Sequence, residues 1–101
     1  DDLVTTTDGR VLGRLDPVFK GGLAIAAAQI VQEDLGLFRV LVVPAAGYDD
    51  EVADTIARRL VDRAGPAEVH VEEVDAIPTG ANGKFKAVIS RVPAGDGSAG
   101  S

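Results

Sequence analysis

Residues 49–64 constrain the fold more than any other part of this chain. Their apolar side chains recur at helical spacing and form one stripe: Val52, Ala53, Ile56, Ala57, Leu60, Val61 and Ala64. Acidic residues stand at the start of the segment and arginines towards its end, which matches the helix dipole. Gly65-Pro66 then ends it. The sequence therefore predicts one long amphipathic helix with a single face to bury.

Alternating segments supply the surface that this helix needs. Leu37–Pro44 is the strongest strand prediction, with Phe38, Val40 and Val42 on one face and Arg39 on the other. Further strands are predicted at 3–7 and 10–15, as a hairpin around Asp8-Gly9, and at 28–33, 68–74 and 87–92. After the first hairpin, Asp16 is the expected N-cap of a short helix that ends at Gly21-Gly22. The alanine-rich run before residue 28 is expected to form a helical turn.

One helix cannot cover both faces of a sheet of this size. The pattern therefore predicts an α+β fold, a small two-layer sandwich with a mixed or antiparallel sheet, one main helix on one face and an N-terminal β-hairpin. The 101 residues fit one domain, and 46% apolar residues can fill one core. Residues 1–92 are predicted to form the domain, and residues 93–101 have the composition of a flexible tail.

Composition excludes several classes of function. The net charge of −6 argues against nucleic-acid binding, which usually requires a basic face. With no cysteine and one histidine, a thiolate or multi-histidine metal site is impossible. The apolar runs are far shorter than the roughly 20 residues that cross a bilayer, so no membrane contact is expected. Because the chain opens on Asp1-Asp2, we expect it to be part of something longer.

The segment IPTGANGKFK, residues 77–86, places a lysine at a flexible, turn-forming site. It is not a nucleotide-binding P-loop, because only two residues separate its glycines, Phe85 follows the lysine, and a strand is predicted next. Taken alone, the Asn-Gly pair favours a solvated turn. The other interpretation is a cation delivered to an anion.

The remaining polar candidates have simpler interpretations. His70 is predicted to be a solvated sheet residue, and Asp49-Asp50-Glu51 to serve helix-end electrostatics rather than to bind metal. Tyr48 is predicted to anchor a loop, and Lys20 to lie on the surface.

Four stretches together resemble the small C-terminal domain of an adenylate-forming (ANL superfamily) ligase. They read DDLVTTTDGRVLGRLDPVFKG, AQIVQED, FRVLVVPA and AIPTGANGKFKAVISRV, and the resemblance extends from Asp1 to about Val92. The nearest branch is that of phenylacetate–CoA ligase-like and capsular-polysaccharide-biosynthesis-type proteins.

Two motifs carry this resemblance. Asp1 and Asp2 match the end of the family's hinge motif, Gly-Arg-x-Asp-Asp, although GRLD at residues 13–16 is a competing register. The family's catalytic-lysine loop is matched by Pro78, Gly83 and Lys84. The resemblance thus implies that Lys84 is catalytic, with Gly80 also supporting the loop and Lys86 as a possible secondary basic residue.

The resemblance implies a mobile lid of an AMP-forming acid–thiol ligase in the cytoplasm. ATP, Mg²⁺ and a thiol such as CoA would serve the full-length enzyme, and a carboxylic acid would be its substrate. The chain's partner would be its own N-terminal adenylation domain; alone it would bind no cofactor and be inactive. The alternative is a stand-alone α+β interaction or regulatory module that pairs with a partner, or with a second copy as a dimer, through its sheet edges.

Overall fold

The computed structural model of the chain describes residues 3–13, 15–77 and 87–92. The strands and the helix are β1 (Val4–Thr5), β2 (Val11–Leu12), β3 (Ile25–Asp34), β4 (Leu37–Pro44), α1 (Asp50–Ala64), β5 (Glu68–Glu73) and β6 (Val88–Ser90). A 3₁₀ helix, Asp16–Phe19, lies between β2 and β3. The fold is α+β, as the sequence predicts.

The strands form two sheets. β1 and β2 make an antiparallel hairpin, while the larger sheet has the order β5-β4-β3-β6. β3 and β4 are antiparallel neighbours joined by a tight turn at Leu35-Gly36, where Gly36 adopts a φ of 71°. The two outer pairs, β4–β5 and β3–β6, are parallel. The chain therefore leaves the central hairpin through α1, reaches one edge of the sheet at β5, and arrives at the other edge at β6.

The core lies between this sheet and α1. The helix buries Ile56, Leu60 and Ala64 against the strand face that carries Phe38 and Val40. Val4 of the hairpin and Val18 of the 3₁₀ helix belong to the same buried cluster. The hairpin and the short helix therefore share the layer of α1, and the two-layer arrangement is confirmed.

Both ends of α1 are capped as the sequence indicates. The Asp49 carboxylate accepts a hydrogen bond from the Val52 amide at 3.1 Å, and Asp50 and Glu51 occupy the first turn. Gly65 takes a φ of 86° and donates its N–H to the Val61 carbonyl at 2.8 Å. The interpretation of the acidic run as helix-end electrostatics is confirmed.

The sequence predictions are wrong in two places. The alanine-rich run is not a helical turn but part of β3, which begins at Ile25 and pairs with β4 from Pro44 onwards. Hydrogen bonds to a neighbouring strand outweigh the weak helix propensity of alanine here. The second error concerns Asp16, which is the first residue of the 3₁₀ helix, so that Leu15 occupies the N-cap position.

The other boundaries differ only in length. The hairpin strands are two residues each, shorter than predicted, and the last strand is confined to Val88–Ser90. The strand predicted at 68–74 is present as Glu68–Glu73, and Leu37–Pro44 has the predicted bounds.

Candidate functional site

The residues that the sequence singles out for function lie outside the described part of the chain. They are Asp1, Asp2, Pro78, Gly80, Gly83, Lys84 and Lys86. Their proposed roles therefore remain predictions. What the structure defines is the pair of strands that flank the lysine segment, β5 before it and β6 after it.

Backbone hydrogen bonds hold both flanks to the central strands. Beyond β5, the Val74 amide donates to the Val42 carbonyl of β4 at 2.8 Å. Ahead of β6, the Ala87 carbonyl accepts from the Ile30 amide of β3 at 2.8 Å. β3 and β4 are antiparallel, so the end of β4 and the start of β3 lie at the same end of the sheet. Because β5 runs parallel to β4 and β6 runs parallel to β3, β5 ends and β6 begins towards that same end. Three strand spacings, about 14 Å, separate these two edge strands.

Tyr48 and several carboxylates lie near the loop that connects β4 to α1, at this same end of the sheet. Tyr48 is half-buried against the core, and its amide donates to the Ala45 carbonyl at 3.1 Å. Burial raises the pKa of its phenol, and the nearby carboxylates of Glu73, Asp50 and Asp49 raise it further. The phenol therefore stays protonated at neutral pH, which suits the predicted loop anchor rather than a catalytic base.

Gln32 joins three elements on the core side of the sheet. It lies in β3 and is fully buried. Its Nε2 donates to the Thr5 carbonyl at 2.6 Å, and its Oε1 accepts from the Thr5 amide at 3.3 Å. The Ser90 hydroxyl of β6 donates to the same Oε1 at 2.8 Å. One side-chain amide thus links the N-terminal hairpin to the strand that follows the lysine segment. Sequence reasoning missed it, because a glutamine in an apolar strand carries no sign of a distant partner.

Four charged side chains form a continuous row on the other face of the sheet. Arg39 of β4 donates from Nε and Nη2 to the two carboxylate oxygens of Glu72 at 2.9 and 3.0 Å. Its Nη1 donates to one carboxylate oxygen of Glu33 in β3 at 2.9 Å. The Nε of Arg91, just after β6, forms an ion pair with the other oxygen of Glu33 at 3.1 Å. The row spans all four strands. Its side chains pair with one another across neighbouring strands.

We expect Glu72 to titrate at a lower pH than an ordinary glutamate. The hydrogen bonds from Arg39 lower its pKa from the ordinary value of 4.5. A lowered pKa in the folded state means that the pair stabilises the fold above the unfolded-state pKa, and that this contribution is lost as pH falls through the folded-state value. An NMR titration of the Glu72 side chain measures this directly.

Arg39→Met is the matched variant for this measurement. Removing the guanidinium should return Glu72 towards its ordinary titration, with no change in the order of the strands. An unchanged Glu72 titration in Arg39→Met would show that the hydrogen bonds do not set its pKa.

The other polar candidates match their simple interpretations. His70 is exposed on β5 and contacts Glu68, and Lys20 is exposed. A shallow depression lies between Pro17 and the second half of α1, where Arg59 donates to the carbonyls of Val18 and Lys20. The described residues contain no cluster of three or more histidine or carboxylate side chains placed to hold a metal ion. Within the same residues, no helix is both long and apolar enough to cross a membrane.

Comparison with known proteins gives one match. A family model described as the CapK C-terminal domain fits residues 3–91, which include every described strand and helix. No curated protein and no solved structure matches the chain.

Proposed function

This chain belongs to the family of CapK C-terminal domains, and we propose that it is the mobile C-terminal domain of an ATP-dependent acid ligase that forms acyl adenylates. Its N-terminal adenylation domain would bind ATP, Mg²⁺ and the carboxylic acid. The acceptor would be a thiol, with CoA as the first candidate, and the enzyme would act in the cytoplasm. The chain would contribute Lys84 to the first half-reaction.

The observation that carries this proposal is the position of the lysine segment. The family match covers the segment and both of its flanks, and the flanking strands approach it from opposite edges of the sheet towards the same end. Pro78, Gly83 and Lys84 supply the residue types of the catalytic-lysine loop of adenylate-forming ligases. A lysine in a connection between two edge strands could be presented to another domain without breaking the hydrogen bonds of the four described strands of the larger sheet.

The chemistry needs a cation of this kind. In adenylation the substrate carboxylate attacks the α-phosphate of ATP, which brings two anionic groups together. An ammonium group aimed at the developing charge lowers the barrier electrostatically. Lysine suits the task because its charge is compact and its stem is long and flexible. Asp1 and Asp2 would lie at the hinge about which the domain rotates between the two half-reactions.

We expect the chain by itself to catalyse no ATP–pyrophosphate exchange with any carboxylic acid. The nucleotide and acid pockets would belong to the adenylation domain, so a lysine alone has nothing to act on. The assay compares the purified chain with the full-length protein, and with the chain added back to a separately produced adenylation domain. Exchange above background by the chain alone would contradict its assignment as a lid.

The structure does not favour the alternative of an interaction module working through a sheet edge. β5, at one edge, carries Glu68, Glu72 and Glu73. Charged side chains along an edge strand oppose pairing with another strand. β6, at the other edge, is three residues long and offers little backbone to a partner.

A further inference from the structure

We propose that Gln32 is a positioning residue that couples the N-terminal hairpin to β6, so that rotation at the hinge is transmitted to Lys84. This inference rests on the proposed function. The two partners of Gln32 lie close in sequence to the hinge and to the lysine. Thr5 follows Asp2 by three residues, and Ser90 follows Lys84 by six. The Gln32 side chain bonds to both, across sequence separations of 27 and 58 residues.

The geometry of the Gln32 amide matches its partners. Donor and acceptor are offered to the carbonyl and the amide of the same residue, Thr5, much as a neighbouring strand would offer them. Oε1 uses its second lone pair to accept from Ser90. The β6 backbone is tied to the same residue, since the Arg91 amide donates to the Gln32 main-chain carbonyl at 2.8 Å. Gln32 therefore holds hairpin and β6 from one point in β3.

Within the part of the chain that the structure describes, the hairpin has few other polar contacts that could fix its orientation. Its two strands have two residues each, and a two-stranded hairpin of this size is marginal by itself. Val4 inserts into the core, but apolar contacts are not directional. The paired hydrogen bonds between Gln32 and Thr5 supply the missing direction, and the burial of the Gln32 side chain limits competition from water.

Precise transmission matters because the lysine acts only when correctly placed. A misplacement of about 1 Å caused far from the reacting atoms can lower a rate about 100-fold. The hairpin is the first described element after the hinge, and β6 begins four residues after Lys84. If hairpin and β6 moved independently, hinge rotation would not fix the position of Lys84. The Gln32 contacts oppose that independent motion.

The first test measures the coupling in the chain itself by amide hydrogen exchange. Gln32→Leu preserves approximate volume but removes every side-chain hydrogen bond, so the Thr5 amide should exchange about tenfold faster relative to the β3 amides. Ile56→Val is the control, because it weakens the core at α1 without altering the Gln32 contacts. Gln32→Asn, which keeps an amide on a shorter side chain, replaces Gln32→Leu if the latter does not fold. Equal acceleration at Thr5 in the glutamine variant and in Ile56→Val would overturn the coupling.

The second test uses the full-length protein and separates the half-reactions. Gln32→Leu should slow adenylation about tenfold more than Ile56→Val does, while thioester formation from preformed acyl adenylate changes less, because that step does not use Lys84. Equal losses in both half-reactions, or a loss no larger than that of Ile56→Val, would overturn the positioning role. Lys84→Ala is run beside them. If it leaves adenylation unchanged, the proposed function itself fails, and the Thr5 exchange still decides whether Gln32 couples hairpin to β6.

Discussion

Replacing Lys84 with alanine in the full-length protein is expected to slow adenylation by about 10²–10³, the usual effect of losing one preorganised electrostatic contact. That loss corresponds to about 3–4 kcal/mol of barrier. Folding should be almost unaffected, because a lysine in a glycine-flanked turn sequence is expected to bury little, and substitutions of that kind usually change stability by within about ±0.5 kcal/mol. ATP–pyrophosphate exchange measures the first effect, and denaturant unfolding measures the second.

Two comparisons make the Lys84→Ala result specific. Thioester formation from a synthetic acyl adenylate should lose less than adenylation does, since the lysine segment would have rotated away by that step. Lys86→Ala is the matched control, two residues along, and a smaller loss is expected for it. Equal loss in both half-reactions would indicate a general binding role for Lys84. A larger adenylation loss for Lys86→Ala would make Lys86 the catalytic residue.

Phe38→Ala is expected to destabilise the chain by about 3–5 kcal/mol, which is the range for truncating a buried phenylalanine. Phe38 is 1% exposed and stands in the core cluster on β4, one of the two central strands. Small domains have a total stability of about 5–15 kcal/mol, so this single change can remove a large part of it. Urea unfolding followed by circular dichroism gives the free energy of unfolding.

Leu35→Ala is the matched control for burial. Leu35 lies in the β3–β4 turn, three residues before Phe38, and is 49% exposed. Its truncation should change the free energy of unfolding by within about 0.5 kcal/mol. Comparable destabilisation by the two variants would mean that burial on the helix-facing side of β4 does not dominate stability.

The spacing of apolar residues was enough to predict β4 and α1. β4 has the predicted bounds, and α1 differs from its prediction only in that Asp49 serves as the cap. In both segments the periodic spacing of apolar residues is uninterrupted. β4 ends at Pro44, and α1 is followed by Gly65-Pro66. β3 was predicted only from residue 28 onwards, because the alanines before that residue are compatible with a helix until a partner strand is known.

Contacts between distant residues could not be predicted in the same way. The row from Glu72 through Arg39 and Glu33 to Arg91 requires the strand order, which no local pattern encodes. The link from Gln32 to Thr5 likewise depends on how the hairpin docks. The assignment of Lys84 came from its resemblance to a motif; its segment lies outside the described residues, and its role stays a prediction.

The strand order has a consequence for the order of folding. β3 and β4 meet through a tight turn, and α1 returns the chain to β5 beside β4, so the strand pairings within residues 25–73 join residues no more than 31 apart, as for Leu37 with Glu68. Pairing of β6 with β3 closes a far longer loop, from Gln32 to Ser90, and therefore carries a larger entropic cost. We therefore expect β6 to join the sheet after its neighbours are in place. Both strands that flank the lysine segment in the sequence would then be paired only in the completed sheet.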